Sequence, residues 1–213
     1  MTDFLYPFIE GDERDAGPLL VDLAASARAK AAESASLRDA TIADQAAVFD
    51  AAAAAMAASF RGGGRLFAFG NGGSATDALT AATLFSRPPH GASLPARSLV
   101  EDPAVLTALA NDVGFDAVFS RQLIASATAG DIALGISTSG TSRNVLHAFD
   151  EARRRGLLSV GLTGYGGGEM AASPAVDHCL VVKSDSVHRT QETQAALLFE
   201  LWSRVQQLVA PDG

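Results

Sequence analysis

Five short apolar runs, at residues 66–69, 97–100, 132–136, 159–163 and 179–182, alternate with stretches of helical spacing through the later two-thirds of this chain. The helical stretches are 74–86, 103–109 with 115–127, 142–155 and 191–209. Few folds accommodate that rhythm. Strands joined by a helix lie parallel, their crossovers are right-handed, and a parallel sheet is covered on both faces. The expected fold is α/β, with a five-stranded parallel sheet between helices.

Ahead of the first run, residues 1–17 are acidic and punctuated by Gly and Pro, and are expected to form a loose N-terminal arm. Pro18 suits the first position of a helix. From there to residue 60 the chain is rich in alanine, with Leu19, Leu20, Leu23, Ile42, Phe49, Met56 and Phe60 at helical spacing. This predicts two helices with a break near 37–41, a helical hairpin joined to the sheet as part of one domain, 18–213. Such a segment has too few large side chains to bury itself and must pack against the main body or a neighbouring subunit. Gly62, Gly63 and Gly64 stop it.

Charge narrows the function. With 24 acidic and 16 basic residues the net charge is −8, which excludes a nucleic-acid or anionic-membrane surface. The one dense basic run, Arg153-Arg154-Arg155, fits the last turn of a helix, where cations suit the dipole. Cys179 is the single cysteine, so no intramolecular disulfide forms, and its apolar neighbours predict a packed strand residue. No signal peptide and no stretch of membrane-spanning length is read, and a cytoplasmic location is expected.

Two loops carry the chemistry. The first, GISTSGTS at 135–142, follows a strand and opens a helix. Ser137, Thr138, Ser139 and Ser142 offer hydroxyls, Gly140 allows a tight turn, and the first N–H groups of the helix have no internal partner. A phosphate suits that arrangement. A single N-cap at Ser142 would account for one hydroxyl, not four. The second loop, GNGGS at 70–74, also links a strand to a helix, with Ser74 placed to cap it. It lacks the lysine of a P-loop and does not spell a dinucleotide fingerprint. In open parallel sheets ligands bind beside such turns.

GNGGS and GISTSGTSRNV, with ANDVGF between them and LTGYGGG after, resemble the sugar isomerase (SIS) domain, and more narrowly the phosphoheptose isomerase group. The resemblance covers roughly residues 20–209. It implies a three-layer α/β/α sandwich and a homotetramer assembled through the N-terminal helices. It implies a phosphorylated sugar as ligand, interconverted between sedoheptulose 7-phosphate and an aldose heptose 7-phosphate through an enediol. It assigns the phosphate to Ser137, Thr138, Ser139 and Ser142, the sugar to Asn71, Gly72 and Ser74, and Asp102 and Gln191 to the same site. In many bacterial members a zinc ion supports the reaction.

The chain departs from the group where that reaction is carried. Where the group has a His and a Glu four residues apart after GNGGS, this chain has Thr80 and Leu84. Where the last helix has a Gln and a His eight residues apart, it has Gln191 and Phe199. His188 replaces an Asp. Leu84 and Phe199 offer zinc no donor, so no metal and no cofactor is expected. The paired loss predicts a dry patch of Leu84 and Phe199. His188 and Glu192 are then the candidate acid–base groups. Asp77, one turn into the helix, reads as an acid complementing the dipole. His90, His147 and His178 fall away from the motifs. Three readings stay open: a phosphosugar isomerase of altered chemistry, a non-catalytic phosphosugar sensor or scaffold acting through an unknown protein partner, and a purely structural homotetramer.

Overall fold

The computed structural model describes residues 17–210. The expected arm, 1–17, lies outside them except for Gly17, which already begins a helix. The chain forms two compact units, Met1–Ser36 and Leu37–Gly213. The described part of the first is helix throughout, with Leu19, Leu20, Val21 and Leu23 exposed.

The elements run α1 (Gly17–Asp44), α2 (Ala46–Arg61), β1 (Leu66–Gly70), α3 (Gly73–Ser86), β2 (Ala96–Ser98), α4 (Pro103–Asp112), a 3₁₀ turn (Phe115–Ala117), α5 (Val118–Ser126), β3 (Ile132–Ser137), α6 (Arg143–Arg155), β4 (Leu158–Thr163), α7 (Gly168–Ala172), β5 (His178–Val181) and α8 (Val187–Val209). The break expected near 37–41 falls instead at Gln45. Nothing at 37–41 stops a helix: Thr41 bonds its hydroxyl back to the Leu37 carbonyl at 2.7 Å and stays within the turn. Gln45 leaves the helix because its side chain is used elsewhere. Its amide donates to the Val181 carbonyl at 2.7 Å and accepts from the Val181 N–H at 2.9 Å.

All strand pairs are parallel, in the order β2-β1-β3-β4-β5. The five expected strands are all present, shifted by a residue or two at their ends. On one face α2, α3 and α8 cover Leu66, Ala68, Leu134, Ile136, Val160 and Leu162. On the other, α5 and α6 cover Phe67, Phe69 and Ala133. Each fully buried Leu or Ile here contributes about 1.5–3 kcal/mol relative to exposure. Gly135 is required by this second face, since a Cβ there would lie 2.4 Å from the Phe149 ring and 2.9 Å from that of Phe69. The result is the expected α/β/α sandwich. Arg153, Arg154 and Arg155 close α6 as predicted. The short helix α7 has no counterpart in the sequence reading; a glycine-rich stretch leads into it, and its five residues leave no periodicity to read. No helix among the described residues is long and apolar enough to cross a membrane.

The chain leaves β1 toward β2 on one side and returns to place β3 on the other. The strand order therefore reverses between β1 and β3. Open α/β sheets hold ligands beyond the carboxyl ends of the strands at such a point. Gly70, the last residue of β1, pairs in register with Ile136, and Ser137 pairs with Thr163 of β4. Both sequence motifs therefore begin at this crevice.

Candidate functional site

The turn after β1 is shaped by what its glycines exclude. A Cβ on Gly70 would lie 2.7 Å from the Ser74 carbonyl oxygen and 2.8 Å from that of Ile136. Gly72 has φ +56 and takes the N-cap of α3. The helix thus starts at Gly73, one residue earlier than the sequence suggested. Ser74 is inside the first turn and buried, its N–H bonded to the Asn71 carbonyl at 3.0 Å, and is not the cap. Asn71 reaches across to α6 and is paired with buried Asn144 through both amide groups.

The serine loop is held from beneath. Ser137 is buried, accepts the Gly140 N–H at 3.2 Å, and lies 3.1 Å from the hydroxyl of Ser142. The Thr138 carbonyl accepts the Gly164 N–H at 3.0 Å, and that of Gly140 accepts the Met170 N–H at 2.9 Å. A Cβ on Gly140, at φ +67, would lie 2.2 Å from the Gly167 carbonyl oxygen. The loop after β4 is therefore the floor of the loop after β3. Ser139 is exposed, 3.0 Å from the Thr141 hydroxyl. Ser142 occupies the N-cap position of α6, yet makes no side-chain cap bond. Three hydroxyls and the open end of a helix converge on one rim, which is an anion's coordination set.

The start of α8 joins them. Gln191 lies against the glycine turn, so close that a Cβ on Gly73 would lie 2.0 Å from its amide nitrogen. Thr190 is fully buried against Gly164. His188 and Glu192 occupy exposed positions on this helix, and Glu192 is ion-paired with Arg189. Asp102 is an exposed N-cap of α4, accepting from Ala104 at 2.9 Å and Val105 at 3.2 Å.

The positions that differ from the resemblance have structural occupations of their own. Thr80 is exposed and bonds its hydroxyl to the Thr76 carbonyl at 3.0 Å. Leu84 packs half-buried against the core under α3. Phe199 is 52% exposed, its ring 5.1 Å from that of Trp202. Leu84 and Phe199 line separate grooves, and Phe199 is half exposed in the single chain, its ring tilted against the buried Trp202 ring. Of the four positions that the resemblance assigns to the metal, Thr80, Leu84, Gln191 and Phe199, only Thr80 and Gln191 carry donor atoms, and Thr80 is bonded to its own helix. That set does not fit zinc. Among the described residues no cluster of three or more His, Cys, Asp or Glu could hold a metal.

Asp77 is the residue that sequence reasoning undervalued. It lies beyond the first turn of α3, and burial pushes its carboxyl up to about 6. Its Oδ2 is buried without a hydrogen-bond partner, as are the hydroxyls of Thr190 and Thr193 and both amide atoms of Gln194. Gln191 near the start of α8 lies against Gly73 at the start of α3, and Gln206 near its end bonds Ala92 in the loop beyond α3. One turn below the first contact lie Asp77 and Gln194. A polar residue three positions after Gln191 and an acid four after Gly73 were the available signal. Cys179 is a packed thiol, pushed up to about 11 by burial. His90 meets the Trp202 ring edge-on, His147 is 3.3 Å from the Asp116 carbonyl, and His178 begins β5.

Comparison with known proteins agrees with this layout. The SIS domain family matches residues 31–164. The phosphoheptose isomerase of Desulfovibrio desulfuricans is 47% identical over 150 residues, 68% of this chain and 70% of that one. That of Solidesulfovibrio magneticus is 43% identical over 171 residues, 78% of this chain and 80% of that one. The solved structure of phosphoheptose isomerase from Neisseria gonorrhoeae superposes with a TM-score of 0.79 at 34% identity, covering 87% of this chain and 99% of that one.

Proposed function

The chain belongs to the SIS domain family, and from that premise we propose that it binds a phosphorylated sugar of the sedoheptulose 7-phosphate class and that it does so without zinc. The observation that carries this reading is the rim formed by Ser137, Ser139 and Ser142 at the open end of α6, facing the Asn71 turn across the point where strand order reverses. The phosphate sits on the serine loop. The sugar extends toward Asn71, Gly72, Ser74 and Gln191. Leu84 and Phe199 leave the group's metal without two of its donors, and the group's Glu has no replacement on α3 at that position.

Two chemistries fit such a site. In an isomerase of altered chemistry, a group near neutrality moves the proton beside the carbonyl. Asp77, pushed up to about 6, suits that task alongside His188 and Glu192. In a non-catalytic sensor or scaffold, the loops bind ligand and an unidentified protein reads the result. Leu84 in place of the group's Glu favours this second reading, because it removes the carboxylate that position would supply. We also propose a cytoplasmic homotetramer assembled through the N-terminal helices, whose exposed Leu20 and Leu23 support it.

The deciding experiment is proton exchange. The protein is incubated with sedoheptulose 7-phosphate in heavy water, with zinc and with a chelator, and the carbon-bound protons beside the carbonyl are followed by NMR. Exchange that survives the chelator establishes a metal-free isomerase, and Asp77→Asn, His188→Ala and Glu192→Gln then identify the base. Binding without exchange establishes the sensor. Exchange only with zinc overturns the metal-free reading, and no binding overturns the phosphosugar reading itself.

A further inference from the structure

α6 begins in a way that an isolated helix would not favour. Its first turn holds no acid, and its first residue is Arg143. A helix N-terminus carries partial positive charge and favours acids, so a cation there works against the dipole. Its N-cap, Ser142, turns its hydroxyl toward Ser137 instead of capping. Each feature is unfavourable for the helix alone, and each becomes favourable when an anion occupies the rim.

The placement of Arg143 fits that role. Ser139, Thr141 and Arg143 are the exposed positions along the outer lip, with Gly140 and Asn144 buried between and behind them. Arg143 is the first residue of α6 and directly follows Ser142 of the serine loop. The Arg143 guanidinium is held by Asp116, Nε to Oδ2 at 3.1 Å, with the two side chains 74% and 53% exposed. An exposed pair of this kind is weak and readily exchanged. The hydroxyls of the loop are neutral, and the chain as a whole carries −8, so an approaching dianion meets net repulsion without a local cation.

We propose that Arg143 determines phosphate affinity: it exchanges Asp116 for the ester dianion at the lip of the serine loop. This rests on the phosphosugar reading above. Asp116 is then a built-in competitor for the same guanidinium.

Calorimetric titration of the full chain with sedoheptulose 7-phosphate, and separately with inorganic phosphate, tests the exchange. At low salt Arg143→Gln is expected to weaken both probes about tenfold, and the loss is expected to shrink to about threefold in 0.5 M NaCl. Arg143→Lys retains most of the affinity, because the charge is kept. Asp116→Asn tightens both probes about two- to fivefold, because the competitor is removed. Arg143→Gln binding within about twofold of the parent at low salt overturns the proposal. So does weakening by Asp116→Asn, which would make the pair structural. A parent chain that binds neither probe overturns the phosphosugar reading and this inference together; a parent that binds while Arg143→Gln is unchanged overturns this one alone.

Discussion

Asn71 and Asn144 exchange two side-chain hydrogen bonds, 2.8 Å from the Asn71 amide to the Asn144 oxygen and 2.9 Å in return. The pair ties the turn after β1 to the first turn of α6 and so sets the width of the crevice between the two motifs. Asn144 is 2% exposed and Asn71 only partly buried, so truncating Asn144 empties a shielded position and leaves both Asn71 bonds unmade. Asn144→Ala is expected to lower unfolding stability by about 1–3 kcal/mol. It should also weaken sugar-phosphate binding beyond what the stability loss explains. Urea denaturation and calorimetry on the same variant check the two effects.

Gly70 and Gly73 make a contrasting pair of tests. A methyl at Gly70 meets backbone oxygens of Ser74 and Ile136, which cannot yield without opening the sheet. A methyl at Gly73 meets the end of the Gln191 side chain, which can swing away. Gly70→Ala is therefore expected to cost about 2 kcal/mol or more in stability. Gly73→Ala should stay within about 1 kcal/mol of the parent yet lose ligand affinity, because Gln191 is displaced. Unchanged ligand affinity in Gly73→Ala would contradict the assignment of Gln191 to the site.

Asp77 predicts a pH dependence of definite sign. Its carboxyl is raised from an ordinary 3.8 to about 6, so between those values the folded chain holds a proton that the unfolded chain releases. Its contribution to stability is fully present below 3.8 and is lost as the pH rises through about 6. Asp77→Asn keeps the shape and removes the titration. It is expected to raise stability at neutral pH by about 1 kcal/mol, after allowance for solvent screening, and to flatten the pH profile. Denaturant midpoints measured from pH 4 to pH 7 would show it.

The N-terminal helix predicts association. Light scattering on the purified protein should give four times the 21.9 kDa chain. Replacing exposed Leu20 and Leu23 together with Asp should return it to a smaller species, while the circular dichroism of the sheet domain persists. A monomeric parent would refute the tetramer.

Much of the architecture was legible because buried parallel strands read as plain apolar runs, as at 132–136 and 159–163. The serine loop was legible because hydroxyls and a glycine stand where a strand gives way to a helix. The break between α1 and α2 was not, since Gln45 is an ordinary helix former until Val181, 136 residues away, takes its side chain. The Asn71–Asn144 pair spans 73 residues and leaves no local pattern. Asp77 looked like a dipole acid because its ionisation is set by neighbours that only the packed helices supply.

Gln45 has one more consequence. β5 is an outer strand, and an outer strand ordinarily offers its unpaired backbone groups to any extended chain that passes. By filling both the donor and the acceptor of Val181, the Gln45 amide behaves like a single residue of a sixth strand and blocks the templating of another. At the opposite margin β2 is only three residues long and gives a newcomer little to grip. Each margin of the sheet thus offers an extended chain only a short stretch of open backbone.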